Sequence, residues 1–422
     1  MNYTTLLIFT LLCLNLQGQN KFFAKEIVKT LTSEEFAGRG YVKDGHNKAA
    51  NFIAEKFKEL GLEGFDSDFK QEFQIDVNTF NGNSDVLVDG KLMYAGVDFI
   101  VDPSCPSIKG KYDLVWLNPK IVGNTNKMIK FSSKELKNSF LIIDKTGITD
   151  SIQLNFLNGM LHNPFKAKGI VFVHAEKFTW GISKHQRNYP IIYIKKNLIS
   201  FRNKRIELNI DATLKRGEIT QNVLGYIKGS EKPDSFIVFS AHYDHIGMLG
   251  EDAIFPGAND NASGTSMIID LARHYTMPEN KPKTSILFIA FGAEEVGLLG
   301  SNFYVQKPYF PLEKILLQIN TDIMGTGDDG ITMVNGIKNS DIYQAFEKIN
   351  DKKQYVKRIK KRGKAANSDH HHFDKKGVKA VFLYTMGGSK AYHDIYDTGE
   401  NLTLSKYNEV FKLITDFIEE YK

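Results

Sequence analysis

The sequence predicts an α/β protein: a doubly wound, mixed but mostly parallel sheet flanked by helices, interrupted by a mostly β insert. Three observations carry this. From Asn222 onward, short apolar runs alternate with amphipathic helical stretches, the pattern of buried parallel strands joined by crossover helices. Four of those runs finish in ionisable residues, and in open α/β sheets binding groups gather beyond the carboxyl ends of the strands. Between about Gln71 and Leu214 the chain is instead rich in β-branched and aromatic residues broken up by turn residues, which reads as separate strands.

The chain has 422 residues, 42% hydrophobic and 24% charged, with a net charge of +5. That is globular composition, with enough length for two or three domains. Residues 1–20 hold an apolar core from Leu6 to Leu16 followed by "QGQN". This predicts a secretory signal, too short to span a bilayer, and a secreted or periplasmic location. Cys13 lies inside it, but Leu12 is not the small residue that lipoprotein processing prefers. With the signal removed, Cys105 is the only cysteine and no internal disulfide is expected. No later segment is long and apolar enough to cross a membrane, so the mature chain is expected to be soluble.

Residues 21–70 read as a helical segment. Ser33 is its first candidate N-cap, and Ala49, Phe52, Ile53, Phe57 and Leu60 share one helical face that Gly61 ends. Residues 71–215 form the β-rich insert, with "SFLIIDKTG", "GIVFVHAE" and "YPIIYIKK" as strands. Residues 216–422 carry the alternating pattern: strands "NVLGYIKG", "FIVFSAH", "SILFIAFGAEE", "KILLQINTD", "ITMVNG" and "KAVFLYTM". Between them stand helices "ASGTSMIIDLARHY", "LLGSNFYVQ" and "SDIYQAFEKIN", and a terminal helix runs from about Ser405 to Tyr421. The densest basic stretch, "KRIKKRGK" at Lys357–Lys364, has no interleaved aromatics and reads as a solvated loop, so no nucleic-acid partner is expected.

The strand ends deliver the chemistry. "FIVFS" leads to His242 and Asp244, "SILFIAFGA" to Glu294 and Glu295, "ILLQINT" to Asp322, and "AVFLYTMGGSKAY" to His393; Asp260 stands in "PGANDNASG" just before a helix. Imidazoles and carboxylates without thiolates suit zinc or a related divalent ion. Five ligands exceed what one open catalytic site uses, and fit two ions with one His on each and a shared carboxylate. Asp260, Glu295 and Asp322 would offset three of the four positive charges. Adjacent Glu294 and Glu295 can serve as ligand and base, and the small Gly292 and Ala293 before them allow close backbone approach.

With these residues assembled, the chain resembles the M28 family of zinc aminopeptidases, through "AHYDHIG", "PGANDNASG", "FGAEEVGLLGS", "INTDIMG", "SDHHHF" and "YHDIYDT" in order, and through the N-terminal "LTSEEFAGRG". The insert resembles a protease-associated domain. The resemblance implies that His242 and Asp322 bind one zinc, Glu295 and His393 the second, and Asp260 both. It implies that Glu294 is the general base, that Asp244 holds the His242 imidazole, and that Tyr392 steadies the developing oxyanion. Asn259 stands where many members have Asp. His370, His371 and His372 have no assigned role, with the last two expected as solvated loop side chains, and His245 is expected to line the cleft or cap a turn. The expected activity is removal of N-terminal residues from peptides. The competing expectations are a one-zinc glutaminyl cyclase, a carboxypeptidase of the same family, and a binding protein with a dead site.

Overall fold

The computed structural model describes residues 21–421; the expected signal segment, with Cys13, lies outside them. An eight-stranded sheet organises most of the chain. Its order is Lys70–Thr79, Thr213–Ile227, Thr284–Phe291, Lys232–His242, Ile315–Thr321, Ala380–Met386, Gly330–Val334, Ile359–Lys361. The four central strands, Thr284–Phe291 to Ala380–Met386, run parallel, and antiparallel strands border them on both sides. The fold is mixed α/β, as the alternating pattern predicts.

Why these runs form central strands follows from their burial. Along Lys232–His242, Phe239 and Ala241 face one hydrophobic cluster while Phe236 and Val238 face another, so the strand is apolar on both faces. Helix Ser263–Thr276 covers the first face, and helix Leu299–Gln306, through Tyr304 and Val305, covers the second. The chain passes from Lys232–His242 to a neighbour on one side, then crosses to Ile315–Thr321 on the other. The winding therefore reverses at the His242 strand, where an α/β sheet opens a crevice.

The N-terminal segment closes the first face. Helix Gly45–Glu59 buries Ala49, Ile53 and Phe57, with Phe52 and Leu60 packed beside them. Burying Ile53 and Phe57 contributes about 1.5–3 kcal/mol each, against at most about 0.7 kcal/mol per residue from helix propensity, so tertiary packing fixes this helix. Ser33 does not cap a long helix; it precedes a short 3₁₀ stretch, Glu34–Arg39, and makes no capping hydrogen bond.

A second eight-stranded sheet forms between Ser84 and Ile210. The expected insert, 71–215, takes in Gln71–Thr79 and Thr213–Lys215, which belong to two paired strands of the first sheet, Val77–Thr79 lying opposite Thr213–Lys215. The second sheet is not β alone. Strands Ile108–Leu117, Ser139–Asp144, Gly169–His174 and Ile191–Lys195 pair in parallel. Helices Thr125–Ser132 and Ser151–Asn158 lie between the first three, capped by the side chains of Asn124 and Asp150. Cys105 is fully buried in this unit, and burial pushes its thiol up to about 12. At pH 8 it stays protonated, so a thiol reagent is expected to label Cys105 only after denaturation; rapid labelling of the folded protein would contradict this packing.

Candidate metal centre

Because the central strands are parallel, their carboxyl ends share one edge. His242 is the last residue of its strand, Asp322 directly follows Ile315–Thr321, and Glu294 and Glu295 follow Thr284–Phe291 within a few residues. Asp260 arrives on the loop before helix Ser263–Thr276 and His393 on the loop after Ala380–Met386. All five expected ligands converge. His242 Nε2 lies 3.2 Å from Asp260 Oδ1 and 3.4 Å from Asp322 Oδ1, while His393 Nε2 lies 3.1 Å from Asp260 Oδ2 and 3.2 Å from Glu295 Oε2. Asp260 thus turns one oxygen to each histidine.

These spacings fit cations. Two ligand atoms each 2.0–2.2 Å from a tetrahedral zinc lie roughly 3.3–3.6 Å apart, close to the observed separations. Both imidazoles have their tautomer set by backbone: His242 Nδ1 donates to Asp244 O at 3.1 Å, and His393 Nδ1 donates to Trp180 O at 2.8 Å. That leaves each Nε2 lone pair aimed at Asp260, as metal-ligating histidines require. Asp322 Oδ1 is buried without a hydrogen-bond partner, a costly arrangement for a carboxylate unless a cation meets it. Two groups of possible ligands form around Asp260: His242, Asp260 and Asp322, and His393, Asp260 and Glu295 together with His245.

The charge balance points the same way. Burial followed by the charges of Asp369, Glu295 and Asp322 lifts the Glu294 carboxyl well above the ordinary range, although His242 opposes them. Burial also raises Asp244 and Asp369 to about 7. Burial pushes His393 down, but Glu295 and Asp260 outweigh it and carry it to about 11. Against burial, the two imidazoles draw Asp260 well below its ordinary range and His393 draws Glu295 down to about 2, while the carboxyls farther from them rise. Divalent ions would supply the positive charge that the protonated imidazoles otherwise provide.

The sequence shell differs from expectation at Asp244. Its carboxylate is 3.8 Å from His242 Nδ1, beyond hydrogen-bond reach; the ring is held by the Asp244 backbone carbonyl instead. The carboxylate accepts from the backbone N–H groups of Glu294 at 3.0 Å and Glu295 at 3.3 Å, and so fixes the turn that presents both glutamates. Gly292, just before, has no room for a side chain: a Cβ there would stand 2.5 Å from Gln221 O. Backbone strain concentrates here too. Ala293, Ile323 and His393 have φ of 56°, 56° and 55°, a left-handed conformation that costs on the order of 1–3 kcal/mol each and gathers at functional sites.

Several supporting residues lie within or beside the motifs, but the sequence alone does not give their contacts. His245 is fully buried, and its Nδ1 lies 2.8 Å from Glu295 Oε1. Asp397 accepts from the backbone N–H groups of Asn259 and Asp260 at 3.0–3.1 Å. Asn259, the departure from the family pattern, accepts from Gly325 N at 2.9 Å and ties the two loops together. Beneath Asp322 a buried chain of hydrogen bonds runs from Gln318 to Ser240, Asn320 and Ser368, whose hydroxyl reaches Asp322 Oδ2 at 3.0 Å. His370 is buried on a short helix, His370–Lys375, and His371 and His372 are half-buried there rather than in a loop. A cavity of about 260 Å³ opens above the cluster past Glu294, Ile323, Arg362, Phe382, Tyr384 and Tyr392. The Tyr392 ring stacks on His393 at 3.9 Å and is half exposed.

A sheet of this topology with histidines and carboxylates at its switch point makes a candidate divalent-metal site of the kind that hydrolases use. Residues 222–418 match the family model described as peptidase family M28. Among similar proteins, aminopeptidase YwaD of Bacillus subtilis is 28% identical over 271 residues, 60% of this chain and 57% of that protein. A probable zinc metalloprotease of Pyrenophora teres f. teres is 38% identical over 113 residues, 26% of this chain and 23% of its own length. The chain therefore spans less than two thirds of these relatives. The solved structure of BSAP, a zinc aminopeptidase from Bacillus subtilis, superposes with a TM-score of 0.70 at 20% identity, covering 94% of this chain and 93% of that one, which establishes the shared fold. Among the described residues no helix is long and apolar enough to cross a membrane.

Proposed function

We propose that this chain is an exported metallo-aminopeptidase that removes N-terminal residues from peptides, using two zinc ions and Glu294 as general base. The observation that carries the reading is Asp260, whose two carboxylate oxygens face the Nε2 atoms of His242 and His393 at 3.2 and 3.1 Å. His242 and Asp322 would hold one ion, His393 and Glu295 the other, and Asp260 both. Bound zinc would polarise the scissile carbonyl and acidify the attacking water.

The side chains do the rest. Glu294 accepts the water's proton and delivers it to the leaving amine, a shuttle suited to a carboxyl held above its ordinary range. Its environment favours the neutral form until cations offset Asp369, Glu295 and Asp322. Asp244 keeps Glu294 and Glu295 in register through their backbone N–H groups. Tyr392, held protonated by burial and by Asp260 and Glu295, donates to the oxyanion from the cavity wall. The substrate's free amine sits among the acidic groups, which favours removal of one residue at a time.

The test is a panel of aminoacyl reporter amides assayed with zinc removed and restored. Hydrolysis of uncharged aminoacyl reporters that vanishes on chelation and returns with zinc is expected. Cyclisation of N-terminal Gln peptides without reporter hydrolysis would instead identify a cyclase, and release of C-terminal residues alone a carboxypeptidase. Absence of zinc binding would refute the zinc-peptidase reading and revive that of a binding protein with a dead site.

A further inference from the structure

We infer that the inserted domain is a brace for the second ion's histidine, and that Lys177 is the positioning residue through which it acts. Four hydrogen bonds link segment Lys177–Trp180 of the insert to Tyr392–Asp394. Trp180 N donates to His393 O at 3.0 Å, and His393 Nδ1 donates back to Trp180 O at 2.8 Å. Lys177 Nζ donates to Tyr392 O at 2.7 Å and to Asp394 Oδ2 at 2.9 Å. The backbone and ring of His393 are thus gripped from one side by a segment more than two hundred positions earlier in the chain.

The bracing segment is itself anchored. The Trp180 indole N–H donates to Val101 O at 2.9 Å, and its ring packs against Phe255 and Phe80 with centroids 4.7 and 5.7 Å away. Lys177 O is held by His174 Nε2 at 3.0 Å. The insert shares one continuous buried cluster with Ile246, Leu249 and Phe255 of the peptidase domain, so it is not a lid hinged away from the site. His393, with φ of 55°, holds a conformation that non-glycine residues rarely adopt unless their surroundings impose it. The Trp180 pair and the Lys177 contacts supply that constraint. Lys177 is 44% exposed while Asp394 is only 11% exposed, but Asp394 also accepts from the Tyr396 backbone N–H at 2.8 Å and stays hydrogen-bonded without the lysine. The consequence of losing Lys177 is therefore local: orientation of a ligand, where groups that support a metal-binding histidine typically change metal affinity by about 10–100-fold.

The inference rests on the two-ion reading, and the experiment separates them. The full chain is compared as wild type, Lys177→Met, Lys177→Arg and Lys111→Met, the last removing an insert lysine that pairs only with Glu207 on the insert surface. Zinc is titrated into metal-free protein with ion counting, and hydrogen exchange is measured on the metal-free protein. Lys177→Met is expected to weaken one of two zinc sites by about tenfold, to speed exchange across residues 390–396, and to leave the thermal midpoint unchanged. Lys177→Arg is expected to restore most of the affinity, and Lys111→Met to behave as wild type. Unaltered exchange at 390–396 in Lys177→Met overturns the brace whatever the zinc count. Equal weakening of both ions with a fall in the thermal midpoint also overturns it. A wild-type chain that binds fewer than two ions refutes the two-ion reading, and the exchange comparison still decides the brace.

Discussion

Glu294→Gln is expected to lower kcat by about 10²–10⁴-fold while the zinc count and the thermal midpoint stay at their wild-type values. Gln keeps the shape and volume of Glu but cannot take a proton from water. Glu294 does not belong to either group built around Asp260; its carboxyl joins a separate group with His242 and Glu295. Metal retention is therefore the expected companion of the lost turnover. The check is steady-state kinetics on a neutral aminoacyl reporter beside a metal count on the same preparation. A variant that keeps its activity would remove Glu294 from the role of base. A variant that loses an ion would make Glu294 a ligand instead.

The second large effect concerns Arg39, in the N-terminal segment outside the peptidase domain. Its side chain is fully buried. All its N–H groups are spent on carbonyls: Nε on Tyr243 O, Nη1 on Leu31 O and Pro256 O, Nη2 on Gly257 O and Asp260 O, at 2.5–3.4 Å. Burial lowers its pKa to about 10, opposed by Asp397 and Asp260, so it remains a cation at neutral pH. It holds the loop from Tyr243 to Asp260 that carries the shared ligand. Arg39→Lys supplies three donors where five are used, in no fixed plane. Each buried carbonyl left without its donor costs about 1–3 kcal/mol. Arg39→Lys is expected to unfold at clearly lower denaturant and to bind both ions of the proposed site more weakly, because Asp260 is proposed to serve both. Chemical denaturation with a zinc titration checks this; wild-type stability together with wild-type affinity would contradict the role given to Arg39.

Much of the fold and most of the site were legible in the sequence, for identifiable reasons. Central strands such as Thr284–Phe291 are apolar on both faces and end in charged residues, so both their type and their reactive edge are written locally. The five converging side chains follow from that rule together with parallel pairing. The insert was less legible. Its helices Thr125–Ser132 and Ser151–Asn158 have eight residues each, too few turns for a helical period to stand out, and the capping Asn124 and Asp150 were the only local signals. Lys70–Thr79 alternates like any half-buried strand, and nothing local says which sheet it joins.

The supporting shell was illegible for a different reason. Asp244 was read as a partner of His242, yet its carboxylate turns to the Glu294 and Glu295 N–H groups, a choice made by strand register. His245, Asp397 and Trp180 act on residues 50, 137 and 213 positions away. Asp397 even lies inside a family motif, but its use as an acceptor for the Asp260 backbone depends on how two loops pack. Contacts of that range leave no periodicity in a single chain.

The account depends most on a pair of cations sharing Asp260. Crystals of the zinc-loaded protein, measured at the zinc absorption edge, test this directly. Two anomalous peaks about 3.5–4 Å apart are predicted, one beside His242 and Asp322, the other beside His393 and Glu295, with Asp260 between them. A single peak, or a pair that does not touch Asp260, would contradict it.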